Sequence, residues 1–301
     1  MDDGTRLRVV AGGGEGVPVA GDGPSAIGEG GGYLLGLEGM RLRGYRPRVV
    51  CGTCGDERWV GAAEGSGMVR CPDCGVEERL ERLARMCASA GIPSRYRPRR
   101  DVGGTGGGWK SAGLEAYGDE YAEAYRSEAA YERAVSWTKA WVDGREPDGW
   151  LYVLGKGRSA TALACAVAND LLDAGVLVPE GASLGDGQSQ ELAGGVLYEG
   201  AVDLLDDLRT SYGEQTKPLE ARERAERPRL LILDGLAGSP EEKALTRFRA
   251  LLEHRDGEML PTIVVSRHAP GDLVVGFGDE VSDLLGDACE VLDLTGAGDV
   301  R

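Results

Sequence analysis

WLYVLGKGRSATALACAVANDLLDAG, residues 150–175, carries the pattern of a strand, a glycine turn and a helix in succession. Apolar residues fill the strand, Gly155 opens the turn, and the helical pattern ends at Gly175. A helix N-terminus behind a glycine turn is an arrangement in which backbone amides cradle phosphate. The segment therefore predicts a phosphate site inside an α/β core, with an ordinary strand-to-helix turn as the alternative.

The turn departs from the complete P-loop string, which places Lys and then Ser or Thr directly after its last glycine. Thr161 fits the hydroxyl that helps to hold magnesium, whereas Ala160 stands where the lysine belongs. Lys156 or Arg158 is then left to reach the phosphates from a different starting point. The residues that we expect to bind the nucleotide here are Gly155, Lys156, Gly157, Arg158 and Thr161.

A second candidate site residue, Asp234, ends the apolar run LLILD at residues 230–234. An ATPase needs a carboxylate at this place for the magnesium shell. A second acid normally follows to help activate water, and Gly235 follows instead. The alternative is that Asp234 merely begins a turn.

Short apolar runs alternate with helical patterns beyond residue 114, which predicts a mostly parallel sheet covered by helices on both faces. The runs are residues 151–154, 196–198, 230–233, 262–265 and 290–294. The fold class that we expect is α/β, with a P-loop-like parallel-sheet core behind an N-terminal zinc ribbon. The expected divisions are a disordered glycine-rich tail at 1–44, the zinc ribbon plus a helix over 79–90 at 45–100, a linker at 101–113, and the core at 114–301.

Four cysteines predict one structural zinc ion near the N-terminus. They form two CxxC knuckles, CGTCG and CPDCG, with sixteen residues between the pairs. Two such knuckles supply four thiolates for tetrahedral coordination, with a hairpin between them. The predicted ligands are Cys51, Cys54, Cys71 and Cys74, and a disulfide pair or a redox CxxC is the alternative.

Charge is segregated along the chain. The net charge is −16, yet residues 41–100 hold 13 Arg, no Lys and 7 acidic residues, which leaves +6 there and −22 elsewhere. This basic region is able to neutralise DNA phosphates, to form a solvated surface, or to dock on an acidic protein. No apolar run reaches eighteen residues and the N-terminus lacks a signal-peptide pattern, so we expect no membrane segment and a cytoplasmic protein.

Five blocks of sequence, taken in order, resemble the bacterial helicase loaders of the DnaC and DnaI kind and the IstB-like transposition helpers, which are AAA+ ATPases. The blocks are AGIPSRYR (90–97), AVSWTKAWV (134–142), DLLDDLRTSYGE (203–214), RLLILDGLAG (229–238) and RDGEMLPTIVVSR (255–267). The resemblance covers residues 71–301. It implies an AAA+-like core that uses ATP with magnesium and delivers a ring helicase or a transposase to DNA, while the N-terminal module holds the partner.

The same resemblance implies that the hydrolytic residues are substituted. Ala160 stands at the lysine position, Gly235 at the second acid, and Arg267 at the polar sensor that follows the next strand. Asp283 stands where an arginine finger is expected, and Arg301 matches a late arginine of the family. Because an arginine finger alone is worth roughly a thousandfold in turnover, we expect little hydrolysis. Whether the chain is an enzyme stays open on these residues.

Three functions remain as alternatives. The first is a replication accessory protein with a degenerate ATP site, acting as a nucleotide-responsive or ATP-independent adaptor. The second is an accessory ATPase of DNA replication or transposition, such as an IstB-like transposition helper, that is active through an unorthodox loop in which Lys156 or Arg158 replaces the lysine. The third is a zinc-ribbon DNA-binding protein with an unrelated α/β domain, which predicts salt-sensitive DNA binding by residues 41–100.

Overall fold

The computed structural model describes residues 59–61, 68–70, 72–100, 109–119, 128–147, 149–179, 194–209 and 216–295. The chain divides into two compact units, Met1–Glu78 and Arg79–Arg301. The second unit begins before residue 114, which is the predicted start of the core. The reason is that the C-terminal part of the helix at Pro72–Ser89 packs into the core through Leu83 and Cys87.

The first unit contains the hairpin predicted between the two cysteine pairs. Its strands are β1 (Trp59–Gly61) and β2 (Met68–Arg70), which pair antiparallel. Helix α1 (Pro72–Ser89) follows and begins seven residues before the predicted start at residue 79. Proline fits the first helical position, which explains the earlier start. Cys51, Cys54 and Cys71 lie outside the described residues, and the backbone of Cys74 lies in α1, so the zinc site stays a prediction.

A short 3₁₀ turn (Ser94–Tyr96) and the small hairpin of β3 (Arg99–Arg100) and β4 (Trp109–Lys110) lead into the core. The core sheet consists of six strands: β5 (Trp150–Leu154), β6 (Leu177–Pro179), β7 (Gly194–Gly200), β8 (Leu230–Asp234), β9 (Thr262–Ser266) and β10 (Cys289–Asp293). All are parallel to their neighbours, and their order is β10-β5-β9-β8-β7-β6. The predicted parallel α/β core is confirmed.

Helices cover both faces of the sheet. Residues of α1, α2 (Leu114–Tyr117), α3 (Glu128–Val142) and α4 (Arg158–Asp173) form the apolar core on one face. Residues of α5 (Ala201–Leu208), α6 (Lys217–Glu226), α7 (Glu242–Gly257) and α8 (Val274–Ala288) form it on the other. Buried strand residues alternate between the two cores: Leu151 and Val153 face the first, Trp150 and Tyr152 the second.

The five predicted strands are all present, and β6 is the strand of the sheet that the sequence did not reveal. It spans three residues and ends in proline, so it is too short to show an apolar pattern of its own. Within the described part of the chain, no helix is both long and apolar enough to cross a membrane.

Candidate nucleotide site

The carboxyl ends of β5, β8 and β9 meet at one edge of the sheet, where ligands bind in open parallel α/β folds. Gly155 follows β5 and donates its backbone N–H to Ser266 O at 2.9 Å. Asp234 ends β8, and Arg267 follows β9. The fold therefore brings the predicted residues of three separate segments to the same edge.

The turn between β5 and α4 has three residues, Gly155 to Gly157. A Cβ at Gly155 would lie 3.1 Å from Leu294 Cβ and 3.2 Å from Ala160 Cβ, so close packing favours glycine there. Gly157 has φ +79°, a conformation that favours glycine for steric reasons. Both glycines are thus explained by a tight turn. A P-loop is longer, because it wraps around the phosphates before its helix begins.

The residues around the start of α4 differ in their exposure to solvent. Lys156 and Arg158 are exposed to solvent, whereas Ser159 and Ala160 are buried. Gly157 provides no side-chain cap, so the first amides of α4 are not satisfied by a capping side chain. A helix N-terminus with nearby cations attracts an anion, but Ala160 offers no ammonium group to one.

Thr161 and Asp234 lie in direct contact, 73 residues apart in the chain. The Thr161 hydroxyl donates to Asp234 Oδ1 at 3.0 Å and approaches Oδ2 at 3.2 Å. This is the pair that the sequence predicted for magnesium. A hydroxyl and a carboxylate are oxygen ligands of the kind that Mg²⁺ prefers, so the donor set fits that ion.

Tyr198 on β7 is a member of this site that the sequence analysis missed. Its hydroxyl donates to Asp234 Oδ2. Burial, together with the hydrogen bond to the Asp234 carboxylate, raises the pKa of Tyr198 far above its usual range, so the phenol keeps its proton and remains a donor at neutral pH. Asp234 therefore accepts hydrogen bonds from two side chains of its own chain.

The block AGIPSRYR explains how Tyr198 and the start of α4 are held. Ala90 O accepts the backbone N–H of Tyr198 at 2.8 Å, and a Cβ at Gly91 would lie 2.7 Å from Tyr198 O. Gly91 also has φ +81°, so two independent constraints select glycine. The Tyr96 hydroxyl contacts Arg158 O at 3.4 Å, and burial raises the pKa of Tyr96. This block is therefore a scaffold for the site.

The remaining predicted positions lie apart from the pair. Arg267 is exposed, and its Nε lies 3.2 Å from His268 Nε2. Gly235 has φ +79° and faces open space, so a glutamate there would be strained by its backbone and not by crowding. Asp283 is exposed on α8, and Arg301 lies outside the described residues. The structure thus joins Thr161 with Asp234 and leaves Lys156, Arg158 and Arg267 at the rim.

No family model and no curated protein matches the chain. Solved structures do match. They include DnaI, with 20% identity over 55% of this chain and 84% of that chain at a TM-score of 0.43. The DnaC helicase loader matches with 18% identity over 55% and 89% at 0.40, and AMPPCP-bound DnaA from Aquifex aeolicus with 17% over 60% and 49% at 0.45.

These matches include the helicase loaders that the sequence blocks resemble. The chemistry of the site depends on the residues of this chain.

Proposed function

We propose that this chain is an accessory protein of DNA replication that resembles a helicase loader, and that its core is an adaptor built around a degenerate ATP site. The observation that carries the proposal is the state of that site. The turn before α4 has only three residues, and Ala160 in α4 stands at the lysine position. Asp234 accepts hydrogen bonds from the hydroxyl groups of Thr161 and Tyr198. Such a site retains ligands for magnesium but lacks the groups that drive phosphoryl transfer.

In the proposed site, different residues would bind the magnesium ion and the phosphates. Thr161 and Asp234 would hold magnesium, which supplies charge neutralisation to phosphates when it is bound. Amides at the start of α4, with Lys156 and Arg158, would attract the phosphates, and Arg267 would approach them from the end of β9. The position directly after Asp234 is Gly235, which has no side chain that could activate water.

The test is a titration of the purified chain with a fluorescent ATP analogue and magnesium, alongside a turnover assay. We expect no ATP turnover above background. If the adaptor responds to nucleotide, binding saturates and is lost in Asp234→Ala and weakened in Lys156→Ala and Arg158→Ala. If it is ATP-independent, no binding appears up to millimolar nucleotide.

Lys243→Ala is the matched control, because Lys243 is an exposed lysine on α7, in the opposite helix layer. Its binding curve should match that of the unmodified chain. Turnover at the rate of an intact ATPase would contradict the adaptor and would favour an active accessory ATPase of replication or transposition, in which Lys156 or Arg158 replaces the missing lysine.

The zinc ribbon belongs to the same proposal as the part that recruits a partner helicase. We expect the purified chain to contain about one zinc ion, because four thiolates at this spacing form a closed tetrahedral site. Elemental analysis should find the metal lost in a Cys51→Ser/Cys54→Ser variant and kept in Cys289→Ser, since Cys289 belongs to β10. A metal-free chain that forms disulfides would contradict the ribbon.

A further inference from the structure

A pocket of about 290 Å³ lies at the amino edge of the core sheet, opposite the edge that holds the candidate nucleotide site. The C-terminal end of α7, the segment before β5 and the residue before β9 enclose it. Pockets that enclose a small ligand begin at roughly 300 Å³, so the space suits one or two residues of a peptide. The pocket takes no part in the site proposed above.

The pocket has an apolar floor and an acidic rim. The buried lining residues are Pro147, Trp150 and Pro261, and the exposed lining side chains are Glu146, Asp256 and Met259. Two carboxylates and no cation therefore stand among the described lining residues. An apolar floor below two carboxylates favours a cation that also carries apolar surface.

Both carboxylates are able to meet a ligand. Glu146 is only loosely paired, since its Oε1 lies 3.7 Å from Arg229 Nη2 and its side chain is 74% exposed. Among the described residues no ion pair involves Asp256, which lies in the last turn of α7, near the negative end of the helix dipole. Arg255 of the same turn is buried and donates to Thr262 and to backbone carbonyls instead. A bound cation would offset the negative charge at the rim.

Met259 adopts a strained backbone conformation at the rim. Its φ is +53°, a positive value that no other non-glycine residue of the described chain has. Met259 N donates to Asp256 O at 3.0 Å. Leu260 N donates to Arg255 O at 2.8 Å, so α7 ends in a Schellman motif with Met259 at the position where glycine is usual. The side chain is 77% exposed, so core packing does not explain the methionine, and a contact with a ligand does.

Two buried donors hold the walls of the pocket. Trp137 Nε1 donates to Gly149 O at 3.4 Å. Arg255 Nη2 donates to Pro261 O at 2.7 Å. Gly149 has φ +66°, and a Cβ there would lie 2.8 Å from Ala288 O, so this segment passes close to the start of β10. A pre-organised pocket loses less conformational entropy on binding than a mobile one does.

We infer that the pocket binds an arginine side chain within a peptide segment of a partner protein. The guanidinium would lie between Glu146 and Asp256, and its aliphatic stem would contact Met259 and the apolar floor. Arginine suits the pocket better than lysine, because a guanidinium is more weakly hydrated than an ammonium group and its planar fork reaches two carboxylates. The net charge of −16 attracts a basic partner and repels a second copy of the chain. The inference goes beyond the adaptor role and does not rest on the nucleotide site.

The experiment titrates the full chain, labelled with ¹⁵N-tryptophan, with the peptide acetyl-Gly-Arg-Gly-amide and follows the amide signals by NMR. The chain has five tryptophans, and Trp150→Phe identifies the signal of Trp150. We expect this signal to shift in a saturable manner with the arginine peptide. It should not shift with the same peptide containing citrulline, which has a similar shape without the charge. A lysine peptide should bind at least about threefold more weakly.

The variant Glu146→Gln/Asp256→Asn tests the acidic rim. Its affinity for the arginine peptide should fall at least about tenfold, because hydrogen bonds to charged groups are among the stronger ones. Glu242→Gln/Asp279→Asn is the matched control, since both acids are exposed, on α7 and α8, and neither lines the pocket. It removes the same charge and should bind as the unmodified chain does. An equal loss in both variants would mean attraction by net charge alone and would overturn the inference.

The variant Met259→Gly separates a ligand contact from a structural role. Glycine relieves the backbone strain at this position, so the melting temperature should stay the same or rise. The affinity for the arginine peptide should nevertheless fall at least about threefold, because the arginine stem loses an apolar contact. A lower melting temperature with unchanged affinity would assign the methionine to the fold and contradict the inference.

Three further results would overturn the inference. The first is absence of a Trp150 shift with the arginine peptide, and the second is equal affinity for the citrulline or the lysine peptide. The third is a Trp150 signal that changes with the concentration of the chain alone, which would make a second copy the occupant. None of these results bears on the adaptor, which is judged by ATP turnover and nucleotide titration.

Discussion

Arg255→Ala should lower the free energy of unfolding by roughly 3–5 kcal/mol, a large share of the 5–15 kcal/mol typical of a domain. Arg255 is fully buried at the end of α7. Its guanidinium donates to Thr262 Oγ1 at 2.9 Å and to four backbone carbonyl oxygens, which belong to Ala225, Glu226, Pro228 and Pro261. Removal of the donor leaves these buried acceptors unsatisfied.

The position of Arg255 explains why one side chain matters so much. Two of its acceptors are carbonyls in the last turn of α6, where helix carbonyls lack partners and the helix dipole is negative. The other two precede β8 and β9. Burial lowers the pKa of Arg255 to about 9, so the group keeps its charge and all its donors at neutral pH. The arginine therefore ties a helix end to the starts of two central strands.

Chemical denaturation followed by circular dichroism measures this effect. Arg255→Lys is the second variant, because a lysine keeps the charge but presents its donors from one point and cannot reach acceptors on several sides. It should lose most of the same stability. His254→Ala, an exposed change one residue earlier on α7, should stay within about 0.5 kcal/mol of the unmodified chain. Equal stability of Arg255→Ala and His254→Ala would contradict the role of the buried guanidinium.

The sheet could be predicted from the sequence because each buried parallel strand is a short apolar run with little competition from other patterns. The run LLILD predicted both the strand β8 and the acid that ends it. The three-residue strand β6 has no such run, since its place depends on pairing with β7. Helix α1 begins at Pro72, inside the stretch CPDCG that the cysteine spacing led us to assign wholly to a metal knuckle.

The sequence predicted those site residues whose role follows from their position directly after a glycine turn or at the end of a strand. Thr161 and Asp234 were both expected, and they are in contact. Tyr198 was missed because a tyrosine in VLY fits a strand equally well as a packing residue. Its role depends on the register of β7 against β8, which pairs Tyr198 with Ile232 and Gly200 with Asp234. That register is a tertiary property which no local pattern contains.

Tyr198→Phe should tighten magnesium-dependent binding of the ATP analogue by about tenfold to a hundredfold while it makes the chain less stable. In the unmodified chain the phenol donates to Asp234 Oδ2, and a cation that approaches this oxygen must displace or rearrange that bond. A hydrogen bond to a charged group contributes about 1.5–3 kcal/mol, which sets the size of the gain. Loss of the bond should lower the free energy of unfolding by the same amount, about 1.5–3 kcal/mol.

Opposite signs for affinity and stability separate this mechanism from a general loosening of the fold. Tyr152→Phe supplies the control, because the buried Tyr152 hydroxyl donates to His268 O at 2.6 Å on the other face of the sheet. It should cost similar stability and leave nucleotide binding unchanged. If Tyr198→Phe binds the analogue no better than Tyr152→Phe does, the tyrosine does not restrict the cation site. The weakness of the site would then lie in the three-residue turn and Ala160, which no substitution at Asp234 or its partners could correct.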